Sequence, residues 1–159
     1  MKMIAFILPG FKHSPYRKIY KEVMKLFRAR NIDTFPVNVD WKYKTISQNV
    51  QEFLRVYDKV NVDKKYVFGF SYGAVISFLA STKVKPTAQI LCSLSPYFKE
   101  DLPSIFKSWK KGIGKRRLEN FSKLTASKLC SQIKAETFLL YGKKEGRFIQ
   151  NRAKDTKKD

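Results

Sequence analysis

The chain has 159 residues, 43% of them apolar, which is enough for one domain with its own core and too few for two. Its 33 Lys and Arg stand against 13 Asp and Glu, a formal charge of +20 that admits polyanions as partners, although the lysines are spread along almost every polar face. Two cysteines, Cys92 and Cys130, and one histidine, His13, argue against a disulfide framework and a metal site, and no cofactor is expected. No run of 18 apolar residues occurs, and the N-terminal MKMIAFILPGF has too short an apolar stretch and no small-residue cleavage site, so a cytoplasmic protein without a transmembrane segment is expected.

Met3 to Leu8 reads as a first buried strand. Ser14 and Pro15 then offer an N-cap and a first helical position, followed at helical spacing by Tyr16, Ile19, Tyr20, Val23, Met24 and Phe27, with Asn31 closing the helix. Thr34 to Val39 predicts the second strand. Thr45-Ile46-Ser47-Gln48 fits a capping box ahead of a helix whose apolar face is Ile46, Val50, Phe53, Leu54 and Tyr57. Asn61 to Lys65 is a turn into the β-forming run Tyr66-Val67-Phe68. Next, Gly69-Phe70-Ser71-Tyr72-Gly73 delivers the chain into Ala74 to Ala80, a helix-like run that is apolar on nearly all sides.

Pro86 breaks that helix, and Thr87 to Leu94 predicts another strand. From Tyr97 to Ile133 the pattern changes to scattered aromatics (Phe98, Phe106, Trp109, Phe121), a Gly112-Ile113-Gly114 interruption and the basic run Lys115-Arg116-Arg117. This segment reads as two or three short helices outside the sheet, a candidate lid or cap within a single domain spanning 1–159. Glu136 to Tyr141 returns to the strand pattern. The tail beyond Gly142 carries Phe148 and Ile149 as its sizeable apolar groups and is expected to fray. Strands alternating with helices predict an α/β fold, a mostly parallel sheet with helices on both faces.

The chemistry concentrates at Ser71. A serine held at a sharp strand-to-helix turn has strained backbone angles and close-packed neighbours, which explains glycine at both 69 and 73 and makes Ser71 the candidate nucleophile. The charge reads first as a solvated lysine-rich surface. Nucleic acid or another polyanion remains the alternative partner, without an aromatic-interleaved recognition motif in the linear sequence.

Taken together, ILPGF (Ile7 to Phe11), GFSYG (Gly69 to Gly73), SLSPYF (Ser93 to Phe98) and FLLYGKKE (Phe138 to Glu145) make the chain resemble the α/β-hydrolase family, from the first strand to Tyr141. The resemblance implies a serine hydrolase acting on a small acyl or carbonyl-containing substrate: a carboxylic ester, thioester or amide. It implies an oxyanion hole built from the backbone N–H groups of Phe11 and Tyr72. The acid position corresponds to Glu145, with Asp101 and Glu100 as alternatives after the preceding strand. Family members carry their histidine after one further strand, whereas this chain ends 14 residues beyond Glu145 and is C-terminally short by that measure. His13, just past the oxyanion turn, is a candidate pocket residue or base. The expectation is a chain nearly inactive by itself: a fragment of an ordinary hydrolase, a pseudoenzyme that binds without turnover, or a basic polyanion-binding protein that borrows the fold.

Overall fold

Residues 1–158 are described by a computed structural model. Five strands form one sheet: β1 (Met3–Leu8), β2 (Asp33–Pro36), β3 (Lys64–Phe70), β4 (Ala88–Cys92) and β5 (Glu136–Leu140). All neighbours are parallel and the order is β2-β1-β3-β4-β5. Alternation along each strand sends successive side chains to opposite faces. Ala5 and Ile7 of β1 and Phe68 of β3 pack with Tyr20 and Met24 of helix α1 (Lys18–Arg28). Phe6, Leu8 and Val67 face the other way, toward α2 (Ile46–Lys59) and α3 (Tyr72–Ala80). This is the expected parallel α/β sheet with helices on both faces, the α/β-hydrolase-like architecture.

Every residue of α3 is buried, because the helix lies between the sheet, α2 and the segment that follows β4. An all-round apolar sequence suits that position, and full burial of Val75, Ile76, Phe78 and Leu79 stabilises the fold by about 1.5–3 kcal/mol each. Two polar links tie α3 to the strands beside it. The Ser77 and Ser81 hydroxyls both donate to Gln89 Oε1 at 2.9 Å, and Gln89 Nε2 donates to Thr137 Oγ1 at 3.0 Å. α2 opens on the predicted capping box: Gln48 N–H reaches Thr45 Oγ1 at 3.4 Å, and Thr45 N–H reaches Gln48 Oε1 at 2.9 Å.

Several boundaries differ from expectation. α1 starts at Lys18 and not at Pro15, because the Ser14 hydroxyl accepts from Tyr16 N–H in a local turn and Arg17 stays extended. Tyr16 and Ile19 consequently stay outside the packed stripe, at 53% and 54% exposure. β2 ends at Pro36, short of the expected Val39, although Val37 N–H still donates to Ile7 O at 3.0 Å. β4 stops at Cys92, since Ser93 turns to φ 54°.

The segment after β4 holds a 3-10 turn (Leu102–Ser104) and three short helices, α4 (Lys107–Ile113), α5 (Lys115–Phe121) and α6 (Ala126–Cys130). Phe98, Ile113, Phe121 and Ala126 are buried in the same core as α3, whereas Phe106 and Trp109 are 60% and 42% exposed. The tail does not fray: it forms α7 (Arg147–Lys158). Its anchor is a charged residue. Arg152, 4% exposed, donates to Asp101 Oδ1 from Nε at 3.1 Å and Nη2 at 2.7 Å, and its guanidinium lies 5.4 Å over the Phe98 ring. Phe148 adds an edge contact to Phe106 at 5.2 Å. Among the described residues no helix is long and apolar enough to cross a membrane.

Candidate functional site

In an open parallel sheet, ligands bind beyond the carboxyl ends of the strands where the order reverses direction, here between β1 and β3. Pro9-Gly10-Phe11 follows β1 and Ser71 follows β3, so two of the sequence signals converge on that point. Ser71 has φ 54° and ψ −114°, outside the regions an L-residue favours, a conformation that costs on the order of 1–3 kcal/mol. The surroundings enforce it. Ser71 N–H donates to Cys92 O at 2.9 Å, while Ser71 O accepts from Ala74 N–H at 3.0 Å at the head of α3.

The flanking glycines are required by contact. A Cβ at position 69 would lie 2.4 Å from Gly73 O, and a Cβ at position 73 would lie 2.3 Å from Leu8 O and 2.6 Å from Pro9 O. The first turn of α3 therefore rests directly on the end of β1. Tyr72, as the first residue of α3, has an N–H with no carbonyl a turn earlier in the helix to accept it. Phe11 stands beside it, their rings 5.4 Å apart, with Trp41 in edge contact with both at 5.6 and 5.2 Å. Tyr97 stacks on Phe121 at 4.9 Å, and both contact the Tyr72 ring. Burial raises the Tyr72 phenol far above its ordinary value and pushes Tyr97 up to about 12, so both remain neutral hydroxyls.

Glu145 sits in the turn after β5. Its Oε2 accepts from Gly142 N–H at 3.0 Å, and its Oε1 accepts from the Ser93 hydroxyl. Ser93 in turn follows Cys92, whose carbonyl holds Ser71 N–H, so the carboxylate is tied to the elbow strand's neighbour. Two serines without an assigned role at the sequence level join the site. Ser95 Oγ is 3.0 Å from Ser71 Oγ, and Ser93 is the contact of Glu145. Both lie just past the strand next to the elbow, where the turn at Ser93 sends one hydroxyl to Glu145 and the other to Ser71.

The remaining candidates are engaged elsewhere. Asp101 is committed to Arg152 and to Phe98 N–H at 3.2 Å. Glu100 Oε1 accepts from Ala126 and Ser127 N–H groups at 2.7 and 3.3 Å. His13 Nδ1 is hydrogen-bonded to Tyr20 Oη at 2.9 Å, and the same phenol oxygen accepts from Gly10 N–H at 2.8 Å. The imidazole stacks on Phe70 at 6.4 Å, and burial, followed by Arg17, lowers its pKa and keeps it neutral near pH 7.

Neither family models nor curated sequences match this chain. Solved structures do. An α/β-hydrolase enzyme from a metagenome of Mar Chica lagoon sediments in Morocco superposes with a TM-score of 0.74 at 15% identity, covering 99% of this chain and 76% of that one. Mouse alpha/beta hydrolase domain-containing protein 10 gives 0.67 at 10% identity over 98% and 88%. Est1E from Butyrivibrio proteoclasticus, solved with ferulic acid bound, gives 0.63 at 13% identity over 98% and 87%. At these identities the likeness is one of fold, and the fold is that of the α/β hydrolases.

Proposed function

We propose that this α/β-hydrolase-fold chain is a serine hydrolase that cleaves a carboxylic ester, thioester or amide through an acyl-enzyme on Ser71. The observation that carries this reading is the conformation of Ser71: a non-glycine residue held at φ 54° where β3 meets α3, at the reversal of strand order. In the proposed reaction Ser71 Oγ attacks the carbonyl carbon, and the carbonyl oxygen takes the negative charge. The N–H groups of Phe11 and Tyr72 stabilise that oxyanion. The leaving group departs with a proton, and water then releases the acid from Ser71.

Glu145 is the acid of this scheme, because Asp101 and Glu100 already hold Arg152 and the head of α6. The general base is the group still needed. His13, the one histidine of the sequence, bonds to Tyr20; Ser71 is the nucleophile of the scheme, the Phe11 and Tyr72 N–H groups its oxyanion hole and Glu145 its acid, with added imidazole to serve as the base. Residues 97–133 belong to the same single domain as a roof over the site, a reading supported by Tyr97 and Phe121 resting on Tyr72.

The test is hydrolysis of p-nitrophenyl acetate with and without added imidazole, with Ser71→Ala as background. Removing the base of a serine triad costs on the order of 10⁶ in rate, so slow basal turnover with a Ser71-dependent rise on adding imidazole is expected. Equal rates for the two proteins at every imidazole concentration overturn the reading. The second reading is a non-catalytic binding protein, favoured by the 3.0 Å contact of Ser71 Oγ with Ser95 in place of a base.

A further inference from the structure

The hydrolase reading leaves the charge of +20 without a role, and the structure gathers part of it in one place. Between Lys107 and Arg117, six of eleven residues are cationic and none is acidic; Glu119 lies 4.0 Å from Lys115 with both side chains largely exposed, and Lys44 on the neighbouring loop is paired with Asp40 and Glu52, so the stretch keeps a net positive charge. α4 and α5 bring it against the loop before α2, where a cavity of about 310 Å³ is lined by Tyr43, Lys44, Lys115, Arg116 and Arg117, with Ile113 at its base. Arg116 Nη1 and Arg117 Nε donate to the carbonyls of Tyr43 and Lys44 at 2.9 Å each, which fixes this loop onto α5. The Lys115 side chain is 92% exposed.

Aromatic surface lies among these cations. Tyr43 is 77% exposed, with Lys42 Nζ 5.6 Å over its ring, and Trp109 is 42% exposed one turn before Ile113 on the same face of α4. In the linear sequence Tyr43 and Lys115 are far apart, so the interleaving exists only in the folded chain. Exposed rings cost solvation without contributing to the core, and cations crowded together repel. Both features are accounted for by one class of ligand: a flexible polyanion that also carries flat π-faces.

We propose that the Tyr43, Lys115, Arg116 and Trp109 surface binds single-stranded nucleic acid, phosphates against the cations and bases stacked on the two rings. An inorganic polyphosphate or a sulfated polysaccharide satisfies the cations but leaves Tyr43 and Trp109 without a partner. Arg117 connects this surface to the neighbouring site, since its guanidinium lies 5.0 Å over the Phe11 ring.

The experiment is fluorescence anisotropy with a labelled oligouridylate of about 15 nucleotides, over a salt series, using the full chain. Lys115→Ala/Arg116→Ala should weaken binding and make the slope of log K against log salt shallower by about 1.4, at about 0.7 for each phosphate no longer neutralised. Tyr43→Ala and Trp109→Ala should each weaken binding roughly 5- to 150-fold with the salt slope unchanged. Lys18→Ala/Lys25→Ala on α1 removes equal charge elsewhere and should have a smaller effect than the Lys115/Arg116 pair. Because Arg116 also holds the Tyr43 carbonyl, Lys115→Ala alone is the second variant: its side chain is 92% exposed, its circular dichroism should match the parent, and its salt slope should be shallower by about 0.7. If the α1 control weakens binding as much as Lys115→Ala/Arg116→Ala, or if the two aromatic variants bind as tightly as the parent, the proposal is overturned. In the latter case the surface is an anion patch only.

Discussion

Gly69→Ala probes the turn on which the whole site depends. The new Cβ would meet Gly73 O at 2.4 Å, Ala74 Cα at 2.6 Å and Ala74 N at 2.7 Å, all backbone atoms that no rotamer change can move. Ordinary contact begins near 3.4 Å, so the head of α3 must retreat by about 1 Å. Nothing lets it retreat freely, because all nine residues of α3 are buried. Overpacking of this kind costs about 1–3 kcal/mol, and a backbone clash with a fully packed helix belongs at the upper end. With a urea m-value of about 2 kcal/mol/M, the unfolding midpoint should fall by roughly 1–1.5 M. Gly112→Ala serves as the control: its Cβ enters open space within α4, and the gain in helix propensity should raise stability by about 0.5–1 kcal/mol. A Gly69→Ala midpoint equal to the parent's would refute the close approach of β3 and α3 and the origin given for the Ser71 strain.

Other perturbations separate the remaining elements of the fold and site. Asp101→Ala leaves Arg152 as a buried unpaired cation and should cost about 3–5 kcal/mol in urea unfolding. Asp101→Leu/Arg152→Met should cost less than Asp101→Ala alone; the reverse order would mean that α7 does not dock through this pair. Gln89→Leu removes the shared acceptor of Ser77 and Ser81 and should destabilise by about 2 kcal/mol or more, against a near-neutral result if the two hydroxyls found other partners. His13 has its pKa lowered in the fold, so the unfolded chain binds more protons below 6.5. Its contribution to stability is therefore present above 6.5 and is lost as pH falls through the lowered value. The urea midpoint should drop between about pH 7.5 and about pH 5.5, with a smaller drop in His13→Gln. An identical drop in both proteins would deny His13 that role.

The parts of the fold that follow from local periodicity are legible in the sequence. β1, the capping box at Thr45 and Gln48, and the alternation of strands and helices all depend on residues close together in the chain. The start of α1 is not, because Ser14 and Pro15 form a good helix entry that the turn at Gly10 to Arg17 overrides. The tail is hidden for a different reason. Its docking depends on Arg152 meeting Asp101 across 51 residues and on Ala153 packing, so counting large apolar side chains misses the anchor. At the site, the residues adjacent to Ser71 are readable from G-x-S-x-G, whereas the Ser93–Glu145 and Ser71–Ser95 contacts arise from strand order, which a linear pattern does not encode.

The most direct measurement is the mass and peptide map of the protein after incubation with a fluorophosphonate in the presence of imidazole. A nucleophilic Ser71 should give one adduct, on the peptide that contains it, and none in Ser71→Ala. An unlabelled Ser71 at saturating probe and imidazole, or an adduct that persists in Ser71→Ala, would contradict a serine hydrolase built on this elbow.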